Sequence, residues 1–405
     1  MGAAVIVGFV LAWVWPLVAP PGATATTSPQ RPRKEWPLPV AEPKQEPEEP
    51  TQVLELPKEP PASVVAESQR LSFFVTPLMQ QGLLSQQVRQ ALRVLLAQVR
   101  GAQVVKLRAF VAGTGDLRRV QAVVSETFTE RRLPLPALSV VQVGALPLAG
   151  AQVVLEAVAQ ERKAVNPHGL AFISGQAATA PDPLAPPAPL LEQSLSGLRT
   201  ALRAAGSDDE NVLRVTCFIA SFDDWSHLRQ QMARAFPRAA LNLLQPQRAP
   251  TRALVECEAV ARLKSPPPSP FQLLNPPELP RSPHYSQIAL VGPVRLVFTG
   301  AQLGFRTTEQ DVRLAFQRLG RTLQEAGSSF QRVAMSHLYP LSGATGELLR
   351  RVRAEFYDQQ APPASTMLPF EGLPSLDASF GVDVVAVLAP PGPRSAAPSG
   401  PRSSP

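Results

Sequence analysis

Three segments of the chain alternate apolar and polar residues with the two-residue period of a half-buried strand. Residues 103–112 and 211–220 agree in character at nearly every position, and residues 332–339 form a weaker third copy. An amphipathic helix is predicted before and after each copy, because apolar residues recur there at helical spacing. The predicted helices cover residues 86–99, 117–131, 193–205, 224–236, 311–326 and 346–357.

Further predicted strands lie before and after each copy. Apolar runs open the repeats at 71–75, 170–173 and 296–298. The closing strands carry an acid followed by two apolar residues and Ala, with Glu156, Glu258 and Asp383 as the acids. This order, repeated three times, predicts an α+β protein of three tandem modules, each a mixed sheet with two helices on one face.

Proline-rich segments set the predicted boundaries. The chain has 46 Pro, a residue that helix and strand interiors exclude. Residues 26–62 are rich in Pro and Glu and poor in apolar residues, which predicts a disordered tether. The predicted modules cover 63–162, 163–263 and 283–389, with a Pro-rich linker over 264–282 and a disordered tail over 390–405. Gly206 and Gly327 are predicted to end helices, and residues 180–189 are predicted to form a loop.

The N-terminus is apolar. Residues 1–19 carry no charge, and Ala23-Thr24-Ala25 has the small-x-small pattern of a cleavage site. The first basic residue is Arg31, whereas a signal peptide normally carries one before its apolar core. Three interpretations follow: export to a periplasmic or other extracytoplasmic space with cleavage after Ala25, membrane anchoring through residues 1–19, or a cytoplasmic protein with a mis-assigned start.

Composition excludes several classes of protein. Two Cys and four His in 405 residues exclude a disulfide-built scaffold and a Cys- or His-rich metal site. The net charge of +7 is spread along the chain without a dense basic block, so no nucleic-acid partner is expected. Cys217 and Cys257 both fall on predicted strands of module two. They are either buried free thiols or, after export, a disulfide.

Short sequence motifs in modules two and three resemble those of the RidA family, also called YjgF or endoribonuclease L-PSP. Module two reads GLAFISGQ at 169–176, VLRVT at 212–216 and VECEAVA at 255–261. Module three reads HYSQ at 284–287 and FTGAQ at 298–302. Module one is the most diverged, and the resemblance covers roughly residues 65–388.

That resemblance implies a chorismate-mutase-like fold and a homotrimer with active clefts between subunits. It implies hydrolysis of reactive imines and enamines to keto acid and ammonia, with no metal or organic cofactor. In the family pattern an Arg after Pro-Ala holds the substrate carboxylate, for which its planar fork is suited. A Glu on the last strand positions the attacking water.

This sequence departs from that pattern. Leu138 and Val154 stand at the Arg and Glu positions of module one, which therefore looks inactive. Module three has Ser365 and, approximately, Gly381 there. Module two keeps Glu256, but residues 236–241 carry an apparent insertion that leaves its Arg position open, and an ungapped count back from Glu256 falls on Leu241. Three nearby arginines are candidates to replace the missing one: Arg238, Arg248 and Arg252.

The candidate site residues follow from these positions. Glu256, Arg252 and Arg238 are the candidate catalytic residues, and Tyr285, Ser174 and Ser365 the candidate ligand-binding residues. Each has a structural alternative: an edge-strand charge for Glu256, solvated charges for the arginines, and ordinary packing for Tyr285.

The tandem arrangement predicts an intrachain pseudo-trimer rather than an obligate homotrimer, with a small-molecule ligand in the inter-module clefts. Two functions are weighed. The first is an exported or anchored binding protein with largely degenerate sites, favoured by the lost arginines. The second is an imine/enamine deaminase with one surviving cleft around Glu256. Ribonuclease activity is suggested only by the older family name, and the dispersed charge gives it little support.

Overall fold

A computed structural model describes residues 58–389, which belong to one compact unit and contain 16 strands and six α-helices. The signal or anchor segment 1–25, the tether up to residue 57 and the tail 390–405 lie outside the described residues. Within residues 58–389, no helix combines the length and the apolar character needed to cross a bilayer.

All six predicted helices are present. Gly206 and Gly327 follow two of them with φ of 69° and 80°, a left-handed conformation that glycine adopts at low cost. The predicted loop 180–189 is shorter than expected, because a helix begins at Pro187, where proline's fixed φ suits a first turn. The helices are α1 (Leu84–Gln98), α2 (Leu117–Glu130), α3 (Pro187–Ala204), α4 (Trp225–Ala235), α5 (Glu309–Glu325) and α6 (Gly343–Arg353).

The strands form three mixed sheets. The first has the order β2-β5-β3-β4, the second β10-β11-β6-β9-β7-β8, and the third β1-β12-β16-β14-β15, with β13 also paired to β16. Their bounds are β1 (Ser63–Glu67), β2 (Leu71–Val75), β3 (Gln103–Ala112), β4 (Ala137–Val143), β5 (Val153–Gln160), β6 (Leu170–Ala180), β7 (Val212–Ile219), β8 (Ala240–Leu244), β9 (Ala253–Arg262), β10 (Phe271–Leu274), β11 (Ile288–Val291), β12 (Arg295–Thr299), β13 (Gln302–Phe305), β14 (Val333–Pro340), β15 (Ala364–Met367) and β16 (Ala378–Val387).

Two strand pairings cross the module boundaries predicted from sequence. β1 lies at the start of predicted module one, yet it pairs antiparallel with β12 of the third sheet, Ser63 opposite Thr299. β11 lies in predicted module three, yet it pairs with β6 of the second sheet, Ile288 opposite Ile173. The segment 264–282 is therefore not a bare linker, because it contains β10, which extends this pairing.

One face of each sheet is covered by its own helices. The apolar stripes of α1 and α2 pack on the first sheet, those of α3 and α4 on the second, and those of α5 and α6 on the third. The opposite faces share two further apolar clusters to which all three sheets contribute. In one of them Phe110, Phe218 and Tyr339 occupy matching places on β3, β7 and β14.

Buried charges lie next to these aromatic rings. The three acids of the repeated closing strands converge here, on β5, β9 and β16. We call this group the central polar cluster, and its charged or ionisable members are Lys106, Arg108, Glu156, Arg214, Glu258, His337 and Asp383.

Ion pairs of the central polar cluster join the modules. Arg108 of the first sheet donates to Glu156 at 2.9 Å and to Glu258 of the second sheet at 2.8 Å. Lys106 donates to Asp383 of the third sheet at 3.1 Å. Burial alone would raise the pKa of Glu156, but the charges of Arg108 and Arg214 outweigh it and hold that pKa below its usual value. The buried charges are therefore compensated across module boundaries.

The two cysteines form a disulfide between neighbouring strands. Cys217 on β7 lies opposite Cys257 on β9, with Cα atoms 4.1 Å apart. Both side chains face the helix-covered core of the second sheet. Of the two alternatives that the sequence left open, the structure contains the disulfide.

Candidate functional site: the cleft between modules two and three

Strand registers identify equivalent positions in the three modules. Residue 137 pairs with Lys106, residue 240 with Arg214 and residue 364 with Met335, and these partners occupy matching places on β3, β7 and β14. The next residue on each edge strand corresponds to the Arg position described above. Those residues are Leu138, Leu241 and Ser365, so the register agrees with the ungapped count and the position carries no arginine in any module.

Glu256 lies on β9, beside the bulge that interrupts the pairing of β6 with β9 at Ser174-Gly175. Its carboxylate occupies the space above Gly175, where any larger side chain would collide with it. Burial, assisted by the neighbouring charge of Glu258, raises the pKa of Glu256 to about 8, while Arg350 and Arg252 oppose the shift. The glycine is therefore needed for close approach, and the carboxyl is mostly protonated at pH 7.

Module three supplies the other side of this cleft. The Ser174 hydroxyl donates to the Ser286 carbonyl at 2.6 Å and accepts from the Ser365 backbone N–H at 2.9 Å. Tyr285 is partly buried, and its pKa is raised by burial and by the nearby charge of Glu256. Four of the predicted site residues, Glu256, Tyr285, Ser174 and Ser365, are thus gathered at one junction.

The three candidate arginines separate in space. Arg238 lies on the surface in an ion pair with Glu210 at 3.1 Å, so it takes no part in the cleft. The Arg248 backbone N–H donates to the Glu371 carboxylate at 2.6 Å, and its side chain reaches the Gly144 carbonyl at 3.4 Å. Of these three arginines, only Arg252 is close enough to Glu256 to lower its pKa.

Two further arginines at this junction were missed from the sequence, and both lie on α6. Arg353 is 3% exposed and donates to the Ser365 hydroxyl at 3.2 Å and to the His284 carbonyl at 2.7 Å. Burial lowers its pKa to about 10, and the charge of Arg350 adds to the effect. A signal was present: position 353 follows Leu349 by four residues and so falls on the apolar stripe of the helix.

Arg252 and Arg350 line a cavity of about 480 Å³ between modules two and three. Its walls also contain Glu347, whose carboxylate forms an ion pair with Arg350, and apolar side chains that include Leu254 and Met367. Leu254 lies two residues before Glu256 on β9, so both side chains face the same side of the strand. At pH 7 the junction therefore combines three guanidinium groups with one carboxylate, Glu347, and a mostly uncharged Glu256, so positive charge is in excess and favours an anionic ligand.

Three similar α+β modules, with four of the predicted site residues gathered between the second and the third, define a class of tandem-module α+β proteins. Residues 75–161 and 155–264 each match the sequence model of the family described as Endoribonuclease L-PSP. The chain belongs to this RidA/YjgF family as tandem modules. The matches fall on modules one and two, although module one had the weaker sequence resemblance and module three the stronger.

Solved structures of the same family are also similar to parts of the chain. A Rid-family protein from Yersinia pestis is 15% identical, with 30% of this chain and 100% of that chain covered and a TM-score of 0.27. A YjgF-family member from Neisseria meningitidis is 16% identical, with 30% and 97% covered and a TM-score of 0.23. RidA from an Antarctic Psychrobacter species is 15% identical, with 23% and 80% covered and a TM-score of 0.22. The comparison with curated proteins gave no match.

Proposed function

We propose that the chain is a RidA-family binding protein whose cleft between modules two and three takes a small carboxylate-bearing ligand without hydrolysing it. The observation that carries this proposal is the composition of the junction. Arg252 and Arg350 line the cavity, Arg353 lies buried beside Ser365, and Glu256 is close enough to Arg252 and Arg350 for their charges to lower its pKa. Such a cleft attracts an anion and offers it charge-assisted hydrogen bonds.

The hydrogen bonds of Arg353 argue against a family-type clamp. An end-on clamp needs both terminal nitrogens of one guanidinium directed at the two carboxylate oxygens. In Arg353 one terminal nitrogen donates to the Ser365 hydroxyl and the other to the His284 carbonyl. This arginine therefore supplies positive charge and positions Ser365, and direct contact with a ligand falls to Arg350 and Arg252.

The protonation state of Glu256 also favours ligand binding over hydrolysis. With a pKa of about 8, most of this carboxyl is protonated at pH 7 and can donate a hydrogen bond to a ligand oxygen. A general base must instead be ionised to take a proton from water. Binding of a carboxylate is accordingly expected to weaken as pH rises through about 8, because the ionised Glu256 repels the ligand.

A deaminase is the second candidate, and one observation favours it. Glu256, Tyr285 and Ser174 come together at a single junction between modules, which is where the family resemblance expects the active cleft. Arg350 or Arg252 would then hold the substrate carboxylate in place of the missing arginine. In this case activity should rise with pH through about 8 as Glu256 becomes ionised.

The proposal also includes an intrachain pseudo-trimer. It is supported by the shared apolar clusters and by the ion pairs that join Arg108 to Glu258 and Lys106 to Asp383 across module boundaries. Export or anchoring outside the cytoplasm is supported by the Cys217–Cys257 disulfide, because such bonds persist mainly in oxidising compartments.

The test compares binding and hydrolysis in the purified chain. Calorimetry with 2-oxobutyrate as a carboxylate probe should show binding that weakens above pH 8. Arg252→Met and Arg350→Met should each reduce the affinity by about tenfold, the usual scale for losing a charged hydrogen bond. Arg238→Met is the matched control, because Arg238 lies on the surface away from the cleft.

The same preparations are then given an imine generated in situ by an amino-acid oxidase. Unchanged hydrolysis is the expected result. Acceleration that disappears in Glu256→Gln and persists in the exposed control Glu130→Gln would establish the deaminase instead. A folded chain that neither binds the probe nor accelerates hydrolysis would refute both functions for this cleft.

A further inference from the structure

The junction between modules one and two contains a second cleft with different chemistry. The acids Glu156 and Glu258 are equivalent in the repeats, so Val154 corresponds to Glu256. By strand pairing Val75 corresponds to Ser174, and Leu241 corresponds to Ser365. Three positions that are polar in the cleft between modules two and three are thus aliphatic here.

This second cleft has kept its volume. It encloses about 440 Å³ and is lined by Val75, Val154 and Leu241 among other residues. At the junction of modules three and one, by contrast, the backbones meet directly, and the Ala301 N–H donates to the Leu138 carbonyl at 3.2 Å. Loss of the polar residues therefore does not by itself leave an open cavity. The cavity that persists between modules one and two has room for a ligand.

Two side chains of α4 complete the cavity wall. Trp225 is partly buried at the start of the helix, and Arg229 follows it by four residues on the same face. Arg229 is the one charged side chain among the described residues that line the cavity, and it forms no ion pair within residues 58–389. The remaining walls are mostly aliphatic, with Thr76 and Asn242 as further polar side chains. A mostly apolar chamber with an indole wall and one available guanidinium is complementary to a molecule with an apolar body and one negative charge.

We propose that the cleft between modules one and two is a separate binding site for an amphipathic monoanion, specifically a small aromatic or branched aliphatic carboxylic acid. The apolar body packs against Val75, Val154 and Leu241 and contacts the Trp225 ring. The carboxylate lies at Arg229. One chain then carries two sites of different ligand class, and this site does not depend on the function of the Glu256 cleft.

The experiment uses the full chain with 3-phenylpropionate as the probe and its uncharged amide as the comparison. Calorimetry should show the acid binding about tenfold more tightly than the amide, because only the acid pairs with Arg229. Arg229→Gln should remove this difference. Arg234→Gln, an exposed arginine on the same helix that does not line the cavity, should preserve it.

Tryptophan fluorescence locates the site. Trp225 is the one tryptophan among the described residues, so a change on binding that is absent in Trp225→Phe places the probe in this cleft. Val154→Glu, which introduces a polar carboxyl into the aliphatic wall, should reduce the affinity at least tenfold, because the ligand's apolar body would bury that group without a hydrogen-bond partner. Circular dichroism identifies any variant that fails to fold.

Several results would overturn the proposal. These are equal affinities for acid and amide in the unmodified chain, equal effects of the Arg229 and Arg234 substitutions, or no binding by a folded chain at millimolar probe. A loss of affinity in Arg252→Met but not in Arg229→Gln would place the probe in the other cleft and would equally refute this assignment.

Discussion

Replacing Arg108 by Met should destabilise all three modules, although Arg108 belongs to the first. The guanidinium is 3% exposed and donates to Glu156 at 2.9 Å and to Glu258 at 2.8 Å. Met fills a similar volume without charge, so Glu156 would depend on Arg214 for compensation, and Glu258 on Arg214 and His337. Removing one partner of a buried ion pair costs about 3–5 kcal/mol, because the remaining charge stays buried without its partner.

The assay is equilibrium unfolding in urea, followed by far-UV circular dichroism, together with hydrogen exchange of peptides from β3, β9 and β16. We expect the free energy of unfolding to fall by about 3–5 kcal/mol and protection to decrease in all three peptides. The matched control is Arg238→Met, which removes an exposed pair and should cost at most about 1 kcal/mol. A loss no larger than that of the control, or exchange changes confined to β3, would refute the view that the central polar cluster couples the modules.

Three further predictions follow from other contacts. Since the folded pKa of Glu256 is about 8 and the unfolded value is near 4.5, the unmodified chain should lose stability as pH rises from about 4.5 to beyond 8. In pH-dependent unfolding Glu256→Gln should lack this loss and Glu130→Gln should retain it. Identical stability profiles for the two variants would contradict the predicted pKa shift. Reducing the Cys217–Cys257 bond, which spans 40 residues, should lower the free energy of unfolding by about 4 kcal/mol on the loop-entropy scale. Thermal unfolding with and without reductant measures this loss. Thiols that alkylate fully in freshly isolated protein would argue against an oxidising compartment. Ile288→Ala should cost about 2–5 kcal/mol and increase hydrogen exchange in β6, because Ile288 packs in the core of the second sheet; an effect restricted to the third sheet would contradict the observed strand pairing.

Much of the local structure was predictable, because the apolar periodicity of helices and strands can be read from residues that are close together in the chain. β2 and β3 have the predicted bounds, and all six helices were expected. The acids Glu156, Glu258 and Asp383 were recognised as equivalent, but their convergence in one buried cluster was not. Four candidate site residues lie at one junction, whereas Arg238 lies on the surface and Arg353 was not considered. Arginine at a helix end is usually an exposed C-terminal cation, which explains the omission.

Sequence by itself determined the module order, the amphipathic elements and the loss of the arginine in modules one and three, whereas the strand register of the structure placed Leu241 at that position in module two. Only the tertiary structure decided that β1 completes the third sheet and β11 the second, since edge strands pair through backbone hydrogen bonds that carry no record of their partner in the sequence. It likewise brought Arg353 of α6 to Ser365 and Cys217 opposite Cys257. Each of these contacts joins elements that are distant in the chain or oriented by packing, and local periodicity contains no information about such distances.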